Sequence, residues 1–311
     1  MVYDLIIVGG GPSGLTSGIY ACRAKLKTLL IEKMVVGGAV NYTYEVKNFP
    51  SYDTITGPEL VEKIYNQAIN NGLEIIYDEV VSYDLNEKIK KINCVGGTFL
   101  GKTVILCNGA SNKKLGLSKE TELTGHGVSY CAVCDGAFFK NKDVAICGGG
   151  NTAMEDAIYL SSLATTVYVI VRKDKLIADQ TLIENAYKCK NIKFMFNTNI
   201  IKLIGEDKLT GLVVENNKSL ESSELKVDGL FVAIGREPDT SKLKGLINLD
   251  SKGYIITNED MQTNIEGVYS AGDVRQKSLR QIITACSDGA IASTKANQYL
   301  SENKELWFDF M

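Results

Sequence analysis

The amino-acid sequence predicts an α/β fold in which two parallel sheets are each opened by a βαβ unit. The first observation is a short apolar run at residues 5–8, Leu-Ile-Ile-Val, which leads into a glycine-rich turn and then a helical stretch. The second observation is that the same pattern begins again about 140 residues later, at residues 143–147, so that the second unit is an internal repeat. Short continuous apolar runs are typical of strands that are buried on both faces of a parallel sheet.

Length and composition indicate a folded protein of two domains, or of three. Of the 311 residues, 45% are hydrophobic and 23% are charged, which argues against a disordered chain. The net charge of -3 argues against a nucleic-acid partner, because a general nucleic-acid binder carries a basic face. No uninterrupted apolar stretch is long enough to cross a bilayer, so we expect no membrane partner. The eight cysteines and the lack of a secretory signal predict a cytoplasmic location.

The first glycine-rich turn has the G-x-G-x-x-G pattern of a dinucleotide-binding loop between a strand and a helix. The first glycine permits the tight turn, the second lets a pyrophosphate approach the backbone, and the third lets helix and strand pack closely. The phosphates bind free N–H groups at the start of the helix. Glu32, at the end of the second strand, is placed to accept hydrogen bonds from a ribose. A plain glycine turn is the alternative. The loop residues that we expect to bind a cofactor are Gly9, Gly11, Pro12, Ser13 and Gly14.

The stretch between the two units contains further elements and a linker. An amphipathic helix is predicted over residues 58–70, with Pro58 in its first turn, and strands are predicted near residues 74–77, 79–83, 98–100 and 103–107. Residues 111–117 are polar and irregular, which is typical of a linker.

After the second unit we expect strands near residues 192–196, 200–204, 211–215 and 229–234, and a final helix over residues 280–299.

The second glycine-rich turn, Gly-Gly-Gly-Asn-Thr-Ala, has alanine in the position of the third glycine. The next strand ends at Arg172 and Lys173, where the first unit has Glu32. Cations at this position suit the ribose 2′-phosphate of NADP, although a solvated basic turn is the alternative. The residues of this loop that we expect to bind the second dinucleotide are Gly148, Gly150, Asn151, Thr152 and Ala153.

Cys131 and Cys134, followed at once by Asp135, form the one apparent redox couple of the sequence. A structural zinc site needs four ligands, and the chain has no second C-x-x-C pair and only one histidine, His126. A C-x-x-C pair at the start of a helix lowers the pKa of a thiol and permits a small disulfide ring. Asp135 could then act as acid and base for a leaving thiolate. Two unrelated free thiols are the remaining alternative.

The order of these motifs resembles the low-molecular-weight thioredoxin reductases of bacteria, over essentially the whole chain. The motifs are the first glycine loop, C-A-V-C-D-G, G-G-G-N-T-A, G-R-E-P-D-T and A-G-D-V with L-R-Q. The resemblance implies two Rossmann-like domains with parallel sheets: an FAD-binding domain, residues 1–113 and 242–311, split by an inserted domain, residues 114–241, that binds NADPH and carries the redox disulfide. It also implies a homodimer that reduces thioredoxin, with the inserted domain rotating about residues 111–117 and 240–245.

The same resemblance implies roles for individual residues. Cys134 is the sulfur that faces the flavin, Cys131 attacks the thioredoxin disulfide, and Asp135 is the proton donor. Gly235 and Arg236 belong to the NADPH-binding part. The residues expected to contact FAD outside the first glycine loop are Glu32, Lys33, Gly37, Gly38, Ala39, Asn48, Val81, Gly109, Asp273, Arg280, Gln281 and Ile282.

The chain departs from the pattern of these reductases at two places. The usual Gly-Gly-Gln of the first flavin loop ends here in Ala39, so that one side-chain contact to the ring is missing or moved. The usual H-R-R-x-x-x-R motif for the 2′-phosphate is reduced to Arg172 and Lys173, with Ile177 in place of the last arginine. Lysine cannot make the bidentate contact of arginine, so NADPH affinity should be lowered.

Two alternatives to the NADPH-dependent reductase therefore stay open. Some relatives with degraded basic motifs take electrons from reduced ferredoxin, although the intact second glycine loop favours NADPH. A non-catalytic flavin redox sensor, or a module whose cysteine pair binds metal, is the alternative from another class.

Overall fold

The computed structural model describes residues 1–43 and 45–305 and divides the chain into two compact units. The first unit consists of Met1–Ser111 and Glu237–Met311, and the second of Asn112–Arg236. The domain boundaries predicted from the sequence, after residues 113 and 241, stay a prediction. None of the helices in the described part of the chain has the length and hydropathy of a membrane-spanning segment.

The described part of the chain forms strands, α-helices and short 3-10 helices. In chain order the strands are β1 (Val2–Val8), β2 (Thr28–Glu32), β3 (Glu74–Tyr77), β4 (Val80–Asp84), β5 (Lys90–Cys94), β6 (Gly97–Leu106), β7 (Ala110–Asn112), β8 (Val128–Ser129), β9 (Asp143–Cys147), β10 (Thr166–Val171), β11 (Ile192–Phe196), β12 (Thr198–Gly205), β13 (Leu209–Asn216), β14 (Ser222–Leu225), β15 (Gly229–Val232), β16 (Arg236–Pro238) and β17 (Val268–Ser270). The α-helices are α1 (Pro12–Arg23), α2 (Gly57–Asn70), α3 (Glu120–Leu123), α4 (Ala132–Asp135), α5 (Asn151–Ser161), α6 (Gln180–Lys188) and α7 (Ile282–Glu302). Short 3-10 turns cover Gly38–Tyr42, Gly136–Phe139 and Ser241–Leu243.

The first unit is built on a parallel sheet that continues into an antiparallel meander. The strand order is β3-β2-β1-β6-β5-β4, and β17 pairs with the later part of β6. The strands β1, β2, β3, β6 and β17 pair in parallel, whereas β4, β5 and the start of β6 pair antiparallel. The register places Val8 at the end of β1 beside Ile31 and Leu106, so the carboxyl ends of three neighbouring strands meet at the first glycine loop.

The N-terminal and C-terminal helices of the first unit pack closely against each other. A side chain at Gly289 in α7 would collide with the carbonyl oxygen of Ser13 at the start of α1. Ser17 of α1 also donates a hydrogen bond to the Gly289 carbonyl oxygen at 3.1 Å. The first glycine loop is therefore backed by the last helix of the chain.

The second unit has a fully parallel sheet with the order β11-β10-β9-β15-β8 and a separate antiparallel sheet, β12-β13-β14. The register aligns Cys147 at the end of β9 with Ile170 and Val232, and the second glycine loop follows directly. Helix α5 covers the parallel sheet with the buried residues Ala153, Met154, Ala157 and Leu160. The predicted α/β fold with parallel sheets is confirmed.

Candidate functional site

The first glycine loop leaves space where a pyrophosphate is expected. Gly9 has a φ of +105°, and a side chain there would collide with the carbonyl oxygen of Cys107. A side chain at Gly14 would collide with the Gly9 carbonyl oxygen, whereas one at Gly11 would meet nothing within 4 Å. The first and third glycines are thus required by the close backbone, and the second faces open space that a phosphate could fill.

Glu32 closes the other side of this loop. Its Oε2 accepts a hydrogen bond from the Gly10 N–H at 2.8 Å, and its Oε1 accepts one from the Met34 N–H at 2.9 Å. Each carboxylate oxygen has two lone pairs, so both oxygens can still accept a hydrogen bond from a ribose hydroxyl. These features fit the adenine dinucleotide that the sequence predicts.

Several of the predicted flavin contacts come together around the same loop. A Cβ at Gly38 would lie 3.6 Å from the Gly11 Cα, so the stretch that includes Gly37 and Ala39 lies beside the loop. Asn48 donates to Gln281 Oε1 at 3.1 Å, which joins two predicted contacts from distant parts of the sequence.

Arg280 is held in place by its neighbours, just before α7 begins at Ile282. Its guanidinium lies 4.1 Å from the ring centroid of Tyr254. Its Nε donates to the Asp273 carbonyl oxygen at 3.4 Å. A side chain at Gly272 would come within 2.5 Å of Ser13 Oγ, so Asp273 lies next to the first glycine loop.

Three other predicted flavin contacts are less well supported by side-chain contacts. Lys33 Nζ pairs with Glu79 Oε1 at 3.0 Å, and Val81 is about half exposed on β4. Among the described residues, no side-chain hydrogen bond or ion pair joins either one to the glycine loop. Gly109 has a φ of +75°, and a side chain there would meet nothing within 4 Å. The assignment of these residues to FAD stays a prediction.

Sequence reasoning did not identify a buried charged cluster that lies beside Asp273. Asp288 of α7 is 4% exposed, and its Oδ2 accepts hydrogen bonds from the Gly272 N–H at 3.0 Å and Arg275 Nε at 2.9 Å. Lys277 Nζ also lies 2.7 Å from this oxygen. The pairing with two cations offsets the cost of burying the carboxylate and fixes the backbone before Asp273. One sequence signal could have found this cluster. Arg275 is among the four of the five arginines that lie in glycine-rich or strand-terminal stretches.

The cysteine pair forms a disulfide in the second unit. The Cα atoms of Cys131 and Cys134 are 5.3 Å apart. Cys131 is the N-cap residue of α4, and its Sγ accepts a hydrogen bond from the Cys134 N–H at 3.2 Å. In the reduced protein the same N–H can stabilise a thiolate at Cys131. A Cβ at Gly136 would lie 2.9 Å from Tyr159 Cε1, so glycine allows this turn to approach α5.

Asp135 is half-buried next to the disulfide and is bound by a serine that sequence reasoning missed. Ser129 Oγ donates to Asp135 Oδ2 at 2.6 Å. Burial raises the pKa of the Asp135 carboxyl above its ordinary value, and the hydrogen bond from Ser129 offsets part of this rise. A carboxyl with a raised pKa holds a proton closer to neutral pH, as a proton donor requires.

The second glycine loop repeats the geometry of the first. Gly148 has a φ of +149°, and a side chain there would collide with the Ala233 carbonyl oxygen, whereas one at Gly150 would meet nothing within 4 Å. Asn151 forms a reciprocal pair with Asp179: Asn151 Nδ2 donates to Asp179 Oδ2 at 2.7 Å, and Asn151 Oδ1 accepts from the Asp179 N–H at 2.9 Å. This loop also fits a dinucleotide, with Thr152 and Ala153 in the first turn of α5.

The basic turn after β10 is anchored through its backbone. The Arg172 carbonyl oxygen accepts from Asn217 Nδ2 at 2.8 Å, and the Ile177 N–H donates to the Gly149 carbonyl oxygen at 2.8 Å. The side chains of Arg172 and Lys173 are exposed, so both cations are accessible to an anionic group.

Arg236 lies apart from this turn, on β16. Its Nε donates to Asn112 Oδ1 at 2.8 Å, and the carbonyl oxygen of the preceding Gly235 accepts from the Lys113 N–H at 3.0 Å. These contacts tie the two ends of the second unit together. The part of Gly235 and Arg236 in NADPH binding stays a prediction.

Among residues 1–43 and 45–305, no group of three or more histidine, cysteine, aspartate or glutamate side chains could hold a metal ion.

Comparison with known proteins agrees with this arrangement of two dinucleotide loops and a disulfide. The family model described as "Pyridine nucleotide-disulphide oxidoreductase" matches residues 3–289. The chain belongs to this family. It is 44% identical to the thioredoxin reductase of Peptoclostridium acidaminophilum, over 98% of this chain and 99% of the relative. It is 41% identical to the thioredoxin reductase of Listeria monocytogenes, over 98% of this chain and 96% of the relative.

Solved structures of this oxidoreductase family show the same fold. The thioredoxin reductase of Streptococcus pyogenes has a TM-score of 0.93 at 39% identity and covers 97% of this chain and 99% of its own. That of Giardia duodenalis has a TM-score of 0.92 at 36% identity, over 96% of this chain and 99% of its own. The predicted family, two Rossmann-like domains, and FAD and NADPH as cofactors are thereby confirmed.

Proposed function

We propose that this chain is a thioredoxin-disulfide reductase that passes electrons from NADPH through FAD and the Cys131–Cys134 disulfide to thioredoxin. The observation that carries the proposal is the Cys131–Cys134 disulfide with Asp135 beside it, in a chain with two glycine loops that fit dinucleotides. The two relatives compared above, which are of similar length, are named thioredoxin reductases. Nothing among these comparisons favours a ferredoxin donor.

The first unit supplies the residues that would hold FAD. The open space at Gly11 would take the pyrophosphate, and the two oxygens of Glu32 would accept the ribose hydroxyls. Asp273 and Arg280, fixed beside the loop, would bind the flavin part. When bound, FAD supplies two-electron chemistry that links a nicotinamide to a disulfide.

The second unit supplies the residues for NADPH. The open space at Gly150 would take the pyrophosphate at the start of α5. Arg172 and Lys173 would bind the 2′-phosphate, since both are exposed cations at the end of the second strand of the repeat. Specificity for NADPH then depends on fewer charged hydrogen bonds than the three arginine side chains of the usual H-R-R-x-x-x-R motif would give.

The reduction of thioredoxin needs two electrons and two protons. The cysteine pair supplies the electrons, and Asp135 and Cys134 supply the protons. In the dithiol state Cys131 is a thiolate, Cys134 is a thiol and Asp135 is protonated. The Cys131 thiolate attacks one thioredoxin sulfur, and the other sulfur leaves with the proton of Asp135. Asp135 then takes the proton of the Cys134 thiol. The Cys134 thiolate attacks Cys131, the disulfide forms again, and the second thioredoxin sulfur leaves with that proton.

Replacement of Cys134 tests this proposal directly. We expect Cys134→Ser to abolish multiple-turnover reduction of thioredoxin, with a loss of at least about a thousandfold, because the mixed disulfide at Cys131 can no longer be resolved. The measurement is NADPH oxidation with thioredoxin as the acceptor, together with mass spectrometry for a trapped mixed disulfide. Cys189→Ser, which changes a half-buried free thiol of α6's C-cap, is the control and should keep normal turnover. Normal turnover by Cys134→Ser would exclude the proposed function.

Three finer features belong to the same proposal. A homodimer and a cytoplasmic location are supported by the resemblance to bacterial thioredoxin reductases and by the cysteine content. Rotation of the inserted domain, residues 114–241, about residues 111–117 and 240–245 is supported by the need for one disulfide to meet both a flavin and a protein. Each of these stays a prediction.

A further inference from the structure

One buried hydroxyl links the two ends of the redox turn. Ser129 lies at the end of β8 and is 4% exposed. Its Oγ accepts a hydrogen bond from the Cys131 N–H at 3.1 Å and donates one to Asp135 Oδ2 at 2.6 Å. The second possible acceptor of its proton, the Cys131 carbonyl oxygen, is 3.4 Å away, which is long for an O–H···O bond. The serine proton therefore goes to Asp135.

We propose that Ser129 is a positioning residue for the reduction of thioredoxin: it holds the Asp135 carboxyl through Oδ2 and leaves Oδ1 for the proton transfers. Among the described residues no hydrogen bond reaches Asp135 Oδ1, whereas Oδ2 is bound at 2.6 Å. This inference deepens the proposed function and rests on it for the destination of the proton.

The hydrogen bond from Ser129 acts on both the place and the charge of Asp135. The 2.6 Å distance is that of a charge-assisted O–H···O⁻ bond, which is stronger to a carboxylate than to a neutral carboxyl. Ser129 therefore favours the charged form, while burial favours the neutral form. The two effects together let Asp135 both give and take a proton. The bond also fixes the orientation of the carboxyl, and misplacement of a reacting group is costly in rate.

The surroundings of Asp135 contain other groups that titrate. On its own turn these are Cys131 and Cys134. Helix α5, which packs against this turn, carries Glu155, Asp156 and Tyr159, and Tyr130 follows β8. The causes of the raised pKa of Asp135 are burial and, in the opposite direction, the hydrogen bond from Ser129; no charged neighbour contributes to it. A pH profile must still separate Asp135 from Asp156, whose pKa is also raised.

The test is the pH dependence of Cys131 alkylation in the reduced holoenzyme, which needs neither thioredoxin nor turnover. The dithiol form is reacted with iodoacetamide without oxygen, and the modified Cys131 peptide is measured by mass spectrometry from about pH 4 to 9. A negative charge on Asp135 disfavours a nearby thiolate, so its titration should give an inflection. Asp135→Asn should remove this inflection, and Asp156→Asn should leave it in place.

We expect Ser129→Ala to move the Asp135 inflection to higher pH, because the charged form loses its hydrogen bond. We also expect it to slow single-turnover reduction of thioredoxin by the dithiol form about tenfold, which is the effect of one lost charge-assisted hydrogen bond. Ser129→Thr keeps the hydroxyl and should restore both values.

The controls separate positioning from a loss of structure and from a failure of the proposed function. Ser161→Ala removes a hydroxyl that bonds only to the Ile158 carbonyl oxygen of its own helix at 2.7 Å, and it should match the wild type. An unmoved inflection in a folded Ser129→Ala protein would overturn the inference. If the inflection moved in Ser129→Ala but the wild-type protein did not reduce thioredoxin, the positioning by Ser129 would be supported and the proposed function contradicted.

Discussion

At the scale of single residues, Asp156 shows how a partly buried carboxyl weakens the fold. It lies on α5, where burial, with a smaller contribution from the charge of Glu155, raises its pKa to about 6. The ordinary value in an unfolded chain is about 3.9. The folded state therefore binds this proton more tightly, and the free energy of unfolding falls as the pH rises from about 4 through 6.

We expect Asp156→Asn to stabilise the protein at pH 7.5 by about 1–3 kcal/mol, because the cost of the buried charge is removed. At pH 4 the difference should vanish, since the wild-type carboxyl is then neutral in the folded state. Thermal unfolding of the apoprotein at both pH values measures this. Glu155→Gln, which removes only the neighbouring charge, should give a smaller change of the same sign. An equal effect of Asp156→Asn at both pH values would contradict the role of its ionisation.

Residues such as Ser129 and Asp288 mark the limit of prediction from sequence. The glycine loops could be predicted because each is a local pattern: a strand, a tight turn and a helix within about 25 residues. Ser129 and Asp288 carry no such pattern. Their importance comes from hydrogen bonds to Asp135 and Gly272, and those bonds exist only after the chain has folded.

At the scale of elements, the predicted starts and ends of helices were less accurate than their existence. The final helix was predicted from residue 280 but begins at Ile282. Gln281 is its N-cap residue, and Thr284 closes a capping box with it. Arg280 and Gln281 thus precede the helix, where their side chains can turn toward Asp273 and Asn48. Hydrophobic periodicity alone does not show where such a cap begins.

The basic turn after β10 offers a gain-of-affinity test at the same scale. Ile177 is 63% exposed, and its backbone is fixed by the hydrogen bond to Gly149, so a longer polar side chain fits without loss of packing. We expect Ile177→Arg to lower the KM for NADPH about tenfold, because it adds a charge-assisted contact to the 2′-phosphate. The KM for NADH, which has no 2′-phosphate, should stay the same.

The control for this change is Ile201→Arg, which adds the same charge at another exposed position of the second unit, on β12. It should leave both KM values unchanged. Bleaching of the flavin absorbance without oxygen, by NADPH, NADH and reduced ferredoxin in turn, gives the donor independently. An equal fall in KM for NADPH and NADH would show that the turn does not contact the 2′-phosphate.

At the scale of the whole molecule, the first unit is made from both ends of the chain. Residues 1–111 provide the first glycine loop, and α7 near the C-terminus packs on α1 directly behind it. Asp288 fixes the segment before α7 through the Gly272 N–H and the side chains of Arg275 and Lys277, and Gly272 in turn approaches Ser13 of the first glycine loop. The cofactor site is therefore complete only when the last part of the chain has folded against the first.

This arrangement predicts that one added methyl group in α7 will weaken both the fold and FAD binding. A Cβ at Gly289 would collide with the Ser13 carbonyl oxygen and lie 3.0 Å from Ser17 Oγ, so α7 must move away from the loop. We expect Gly289→Ala to lower the free energy of unfolding by about 1–3 kcal/mol and to raise the Kd for FAD at least about tenfold. Thermal unfolding of the apoprotein measures the first effect, and fluorescence titration of the apoprotein with FAD measures the second. Thr294→Ala, at an exposed position of the same helix, should change neither. If Gly289→Ala destabilised the apoprotein but bound FAD with wild-type affinity, the last helix would support the fold without shaping the cofactor site.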